Sequence, residues 1–128
     1  MRRIFLLIVA VALLATTALS QDPVKVDPKH YKVESENSQV RVLRIHYGPH
    51  EKSPMHGHPD AVAVFLTDGH VRFGLPGGKT EENTFKAGEA RFTPAGKHAP
   101  ENLTDKPFDL ILVELKGKAA ASKAAAAK

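Results

Sequence analysis

The sequence contains no cysteine. This absence excludes disulfide bonds, thiolate nucleophiles and cysteine-type zinc sites, so stability must come from a closed core, a bound metal or association with another chain. The sequence also has no stretch in which clustered basic residues alternate with aromatic side chains, so nucleic acid is not a predicted partner. The formal net charge of +4 overstates the basicity of the folded part, because several cations lie near the two ends of the chain.

Residues 1–20 are typical of a signal peptide, in which two arginines precede an apolar run over 4–15 and small residues follow. The run is short for a transmembrane helix, which needs about 20 residues. We therefore expect a periplasmic or secreted protein with no membrane span after processing. A retained N-terminal anchor is the alternative. Sec export is favoured over twin-arginine export, because no polar residue precedes the arginines.

Cleavage is predicted before Gln21, since Ala18 and Ser20 are small residues suited to a signal peptidase site. The intact mass of protein recovered from the periplasm should therefore correspond to a chain that starts at Gln21. A mass that still includes 1–20 would contradict both the processing and the export route.

The rest of the chain, about 108 residues, is long enough for one domain and too short for two. We divide it into an N-terminal extension over 21–37, a barrel over 38–116 and a flexible tail over 117–128. The tail is rich in alanine and lysine. A helix this short with no packing face is marginal in water.

Short segments with period-two alternation or continuous apolar character recur between Gly, Pro and Asp turns, and no long amphipathic helical pattern interrupts them. This pattern predicts an all-β barrel or sandwich. The segments 61–66 and 70–75, joined at Thr67–Gly69, are predicted to form a hairpin. The predicted strands are 39–47, 61–66, 70–75, 80–85, 90–93 and 108–115, with a further edge strand near 30–34.

Two histidines, His56 and His58, stand at positions i and i+2 of an extended segment. Side chains two residues apart on a strand point to the same side, which suits shared coordination of a metal ion. A third histidine, His98, lies about forty residues further on, in a segment rich in turn residues. These three side chains are the candidate metal ligands.

The two histidine segments together resemble the paired motifs of the cupin superfamily. The matching positions are Gly48, His56, His58 and Gly69 in the first motif, and Gly88, Pro94, Gly96, His98 and Asn102 in the second. The resemblance covers about 38–116 and implies a double-stranded β-helix, or jelly-roll barrel, whose lumen binds a small molecule. It also implies a homodimer, and it includes small conserved-barrel cupins, some of which are associated with β-alanine degradation.

The resemblance implies that three histidines and usually one glutamate hold a divalent metal, but the position four residues after His58 is Val62. A neutral three-histidine site suits Fe, Zn, Ni or Cu better than Mn. We therefore expect one divalent transition metal. Asp60, His46 or His50 could supply a fourth ligand, although Asp60 is better placed to cap a turn.

Other polar residues have structural interpretations. Arg44 either points into the lumen as an anion clamp or faces solvent, and the second is favoured. Asn102 is expected to brace the loop that carries His98 by hydrogen bonds. The remaining histidines are expected to be surface or structural residues: His30, His46, His50 and His70.

Two functional hypotheses follow. One is an exported, metal-dependent enzyme, for example of oxygenase type, that acts on a small acid or thiol. The other is a non-catalytic module that binds a small ligand or a metal. An open coordination position with an inward polar group would favour the enzyme, and a purely apolar lumen would favour the module. The sequence identifies neither the substrate nor catalytic residues.

Overall fold

The computed structural model describes residues 21–117, which form nine strands and one short helix. The predicted signal peptide and residues 118–128 of the predicted tail lie outside the described residues. The elements are α1 (Pro23–Val26), β1 (Tyr31–Glu36), β2 (Val40–Tyr47), β3 (His56–His58), β4 (Ala61–Phe65), β5 (Gly69–Gly74), β6 (Thr80–Phe85), β7 (Ala90–Thr93), β8 (Gly96–Asn102) and β9 (Phe108–Leu115).

The strands form two antiparallel sheets, one of five strands in the order β1-β2-β9-β4-β7 and one of four in the order β3-β8-β5-β6. Sequence neighbours are often not sheet neighbours, as in a jelly roll. The predicted all-β jelly-roll barrel is confirmed.

Alternation of side chains places the core between the sheets. On β2, Leu43, Ile45 and Tyr47 are buried while Arg44 and His46 are exposed. On β9, alternate residues from Phe108 onward are buried in the same way. Because β2 pairs with β9 along its whole length, the buried side chains of the two strands lie next to one another on the same face of the sheet.

The predicted hairpin between 61–66 and 70–75 is wrong. β4 pairs with β7 and β9 in one sheet, whereas β5 pairs with β6 and β8 in the other. The turn between them is a corner at which the chain changes sheet. Gly69 is needed there, because a Cβ atom at this position would lie 2.4 Å from the ring of Phe108.

Two elements were not predicted from the pattern. β8 includes Gly96 and Pro100, residues that usually interrupt strands, yet it pairs with both β3 and β5. The helix α1 is a single turn that begins with Asp22 as its N-cap and Pro23 in its first turn. Among residues 21–117, no helix is long and apolar enough to cross a membrane.

Candidate metal centre

The structure brings the three candidate histidines together. β3 and β8 pair antiparallel with His56 directly opposite His98, and His58 lies two residues along the same face of β3. One ring nitrogen from each side chain lies within 4.8 Å of the others. The two-residue period of β3 places His56 and His58 on the same face, and the register between β3 and β8 places His98 opposite His56.

Hydrogen bonds behind the rings orient His56 and His58. The Nδ1 atom of His56 lies 2.9 Å from the carbonyl oxygen of Pro54, and that of His58 lies 3.1 Å from Oε2 of Glu114. Since both partners are acceptors, the Nδ1 atoms carry the hydrogens and the Nε2 atoms keep their lone pairs. The two Nε2 atoms are 3.0 Å apart. Two lone pairs at this distance repel each other unless the two nitrogens share a proton or a metal ion.

His98 completes the cluster. Its Nε2 atom is buried and has no hydrogen-bond partner among the described residues. Its ring stacks on that of Phe73 with the centroids 5.1 Å apart. Burial, with a smaller contribution from neighbouring His58, lowers the pKa of His98 to about 3 and the pKa of His56 to about 4. Both imidazoles are therefore neutral donors at neutral pH.

Glu114 is a site residue that the sequence interpretation missed. Its side chain is 4% exposed, and its Oε1 atom accepts a hydrogen bond from Nε of Arg41 at 2.6 Å. Burial works against ionisation of Glu114, but the hydrogen bonds from His58 and Arg41 lower its pKa. The sequence did carry a signal for Glu114. It follows Phe108, Leu110 and Leu112 at intervals of two residues on β9, so its carboxylate lies on the buried face of the strand.

A second buried polar group lies behind His56. Oδ2 of Asp27 accepts hydrogen bonds from Nδ1 of His30 at 2.7 Å and from Oγ of Ser53 at 2.5 Å. Ser53 Oγ is 3.5 Å from Nδ1 of His56. The three residues Asp27, His30 and Ser53 are all at least nine-tenths buried. This network fixes the segment that enters β3.

The structure shows that Val62, the expected position of the family glutamate, does not face the histidines. Val62 lies on the outer face of β4, whereas its neighbours Ala61 and Ala63 are buried. A side chain at Val62 therefore points away from the histidines. The inward positions that could carry a family glutamate hold alanine, which provides no ligand atom.

The other suggested fourth ligands do not join the cluster of histidines among the described residues. Asp60 caps a turn, but not the one after His58 where it was expected: it accepts a hydrogen bond from the Ala95 amide at 2.8 Å, between β7 and β8. His46 contacts Asp109 at 2.7 Å and His50 contacts Asp105 at 2.6 Å.

The structural interpretations of the other polar residues are largely confirmed. Arg44 faces solvent and pairs with Glu34. His30 is buried against Asp27, and His70 lies 2.9 Å from Glu82.

Asn102 forms bracing hydrogen bonds, but in a different place from the one expected. Its amide donates to the carbonyls of Gly48 and Lys106, and its oxygen accepts from Thr104. It therefore holds the turn that follows β8 and the end of β2, not the loop that precedes His98.

A cavity of about 490 Å³ lies beside the histidines in the barrel lumen. Most of its walls are apolar and aromatic, but two tyrosine hydroxyls, those of Tyr31 and Tyr47, are 2.6 Å apart. The ring of Tyr31 lies 4.8 Å from that of His56. Burial raises the pKa of both tyrosines, so both stay protonated. The lining includes His58, His98, Phe65, Phe73, Phe85 and Phe108.

The donor set fits a transition metal. Three imidazoles suit Fe, Zn, Ni and Cu, and within residues 21–117 no carboxylate oxygen joins the cluster to favour Mn. One ion could accept a lone pair from each of His56, His58 and His98. It would remove the repulsion between the first two and give the buried Nε2 of His98 a partner.

Comparison with known proteins finds relatives of the same fold. The family described as Cupin domain matches residues 43–114. A cupin domain from Bordetella pertussis Tohama I is similar, with 26% identity, 68% of this chain and 92% of that chain covered, and a TM-score of 0.64. A double-stranded β-helix protein from Klebsiella pneumoniae subsp. pneumoniae MGH 78578 shares 23% identity over 70% of this chain and 77% of that one, with a TM-score of 0.55.

A Cupin 2 conserved barrel domain protein from Salinispora arenicola CNS-205 shares 21% identity over 76% of this chain and 79% of that one, with a TM-score of 0.54. No curated protein matches, and the expected association with β-alanine degradation stays a prediction. The family match covers more than half of the chain and contains all three histidines. The chain therefore belongs to the cupin family.

Proposed function

We propose that this protein binds one divalent transition metal through His56, His58 and His98, and acts as a metal-dependent enzyme on a small molecule held in the barrel lumen. The observation that carries the proposal is that Nε2 of His56 and Nε2 of His58 lie 3.0 Å apart, next to a third histidine whose buried Nε2 has no hydrogen-bond partner within residues 21–117.

The site also offers what an enzyme would need beside a metal. Three protein ligands leave coordination positions for water or substrate. A bound Fe, Zn, Ni or Cu ion would supply Lewis acidity, and Fe or Cu also redox chemistry. The hydroxyls of Tyr31 and Tyr47 remain protonated and share one hydrogen bond, and the ring of Tyr31 lies beside that of His56. The hydroxyl that accepts in that bond keeps its own hydrogen, with which it could orient a polar group of a substrate.

The alternative is a non-catalytic module that binds an apolar ligand. The aromatic walls of the cavity favour it, since Phe65, Phe85 and Phe108 stack on one another with centroid distances of 4.0 to 6.0 Å. The tyrosine hydroxyls distinguish the two functions, because a purely apolar ligand would make no use of them.

Turnover by metal-loaded protein tests the proposed function. Protein loaded with Fe(II) or with Zn(II), and metal-free protein, would be incubated with a panel of small carboxylic acids and thiols, with oxygen uptake and product masses as readouts. Metal-dependent product that is lost in His98→Ala and reduced in Tyr31→Phe supports the enzyme. Saturable binding without product in any metal form would favour the module.

Homodimer formation is also proposed. β1 and β7 are the edges of the five-stranded sheet, and unpaired edges commonly pair between subunits. The outer face of this sheet is apolar along one cross-strand row, Phe92–Val62–Val113–Val42, and Phe92 is 62% exposed. A second copy would cover this row.

Light scattering at micromolar concentration should give the mass of a dimer for the wild type and of a monomer for Phe92→Asp. A monomeric wild type would contradict the proposal.

A further inference from the structure

We propose that Asp22 is a positioning residue for the metal site, which acts through Arg41 and Glu114 on the imidazole of His58. The proposal rests on the metal-binding function above. It concerns a residue outside the matched family segment, which begins at residue 43.

An unbroken chain of charged hydrogen bonds joins Asp22 to His58. The two carboxylate oxygens of Asp22 accept from Nη1 and Nη2 of Arg41, both at 2.9 Å. Nε of Arg41 donates to Oε1 of Glu114 at 2.6 Å, and Oε2 of Glu114 accepts from Nδ1 of His58 at 3.1 Å. Each oxygen of Glu114 thus has its own partner, one toward Arg41 and one toward His58.

The chain is shielded from solvent, so its charges act strongly on one another. The exposed fraction of the side chain is 26% for Asp22, 19% for Arg41, 4% for Glu114 and 7% for His58. The pair formed by Arg44 and Glu34 on the opposite face of β2 is 48% and 41% exposed. Exposed pairs of that kind contribute little, whereas the inner chain lies where water screens least.

Charge balance explains what Asp22 adds. Glu114 is a strong acceptor for His58 only to the extent that Arg41 does not neutralise it. The bidentate carboxylate of Asp22 takes up much of the positive charge of Arg41 and fixes its guanidinium in one orientation. Glu114 then holds the His58 ring with Nε2 toward the other histidines, and a carboxylate bonded to a ligating imidazole makes that imidazole a better metal donor.

The backbone ties the same segment to the site independently. The carbonyl oxygen of Gln21 accepts a hydrogen bond from the Gly57 amide at 2.9 Å, between the two histidines of β3. Asp22 also caps α1 by accepting from the Val24 amide at 3.0 Å. The N-terminal segment is therefore held against β3 at the position where Asp22 reaches Arg41.

Metal titration of five purified proteins tests the role: wild type, Asp22→Asn, Glu114→Gln, the double variant and Glu34→Gln. The last is the matched control for loss of the carboxylate partner of an arginine on β2. Asparagine caps a helix as well as aspartate does, so α1 is retained. Each protein is first shown by circular dichroism to be folded at the titration temperature without metal. Zn(II) affinity is measured by competition with a chelator, and the coordination geometry by the visible absorption spectrum of Co(II).

We expect Glu114→Gln to weaken Zn(II) binding by about 10-fold to 100-fold, the usual range for partners of metal ligands. Asp22→Asn should weaken it by about 3-fold to 10-fold and change the Co(II) spectrum, and the double variant should bind no more weakly than Glu114→Gln alone, since both act through one contact. Wild-type affinity and spectrum in Asp22→Asn, or fully additive losses, would overturn the positioning role alone. A wild type that binds neither Zn(II) nor Co(II) would overturn the proposed function and this role with it.

Discussion

Replacing His98 with alanine is expected to lower the affinity for a divalent metal about a thousandfold, or about 4 kcal/mol. The three ligands are imidazoles, and among the described residues no carboxylate joins the cluster of ligand nitrogens to compensate for a lost donor. The substitution also removes a buried nitrogen that has no hydrogen-bond partner in the part of the chain that the structure describes. The metal-free fold should therefore tolerate the change better than the metal site does. Competition titration with a chelator measures the affinity.

His70→Ala is the matched control, because His70 is a half-exposed histidine that contacts Glu82 on the four-stranded sheet. It should bind metal as the wild type does. Asp60→Asn should likewise cost little, since Asp60 caps a turn. Equal affinities for wild type and His98→Ala would exclude His98 as a ligand.

The metal-free protein is expected to lose stability on acidification well above the pH at which carboxylates protonate. Burial lowers the pKa of His56 to about 4 and that of His98 to about 3, whereas both are near 6.5 in the unfolded chain. Below pH 6.5 the unfolded state therefore binds more protons than the folded state, and the free energy of unfolding falls with pH. At pH 5 the loss should be about 2 kcal/mol for each histidine relative to pH 7.5.

Urea unfolding at several pH values between 5 and 7.5 checks this expectation. In His98→Gln one of the two titrating groups is absent, so the loss between these pH values should be about half that of the wild type. A wild type whose free energy of unfolding is the same at pH 5 and pH 7.5 would contradict the burial of the two imidazoles as neutral groups.

The positions of the three histidines could be predicted because each depends on a local rule. The spacing of His56 and His58 fixes their common side on a strand, and the paired motifs bring His98 into the same barrel. The strands β2 and β9 were predictable for a similar reason, since burial alternates over the last five residues of β2 and over all eight of β9.

The supporting residues could not be predicted because they depend on contacts between distant segments. Glu114 reaches His58 across 56 positions of the chain, and Arg41 reaches Glu114 across 73. The alternation did place Arg41 and Glu114 in phase with buried neighbours, and Asp22 before Pro23 was a recognisable helix start. The false hairpin arose because a turn signal between two strands does not tell whether they continue in one sheet or enter two.

Metal-dependent thermal unfolding, with metal content measured on the same samples, tests the central claim most directly. Metal-free protein would be titrated with Fe, Zn, Ni, Cu and Mn at neutral pH. Binding at the three histidines predicts one ion per chain and about 2.7 kcal/mol of stabilisation at a free metal concentration one hundred times the dissociation constant, which corresponds to about 10 °C or more in Tm. His98→Ala should abolish this stabilisation. A melting temperature that changes with none of the five metals would contradict the account.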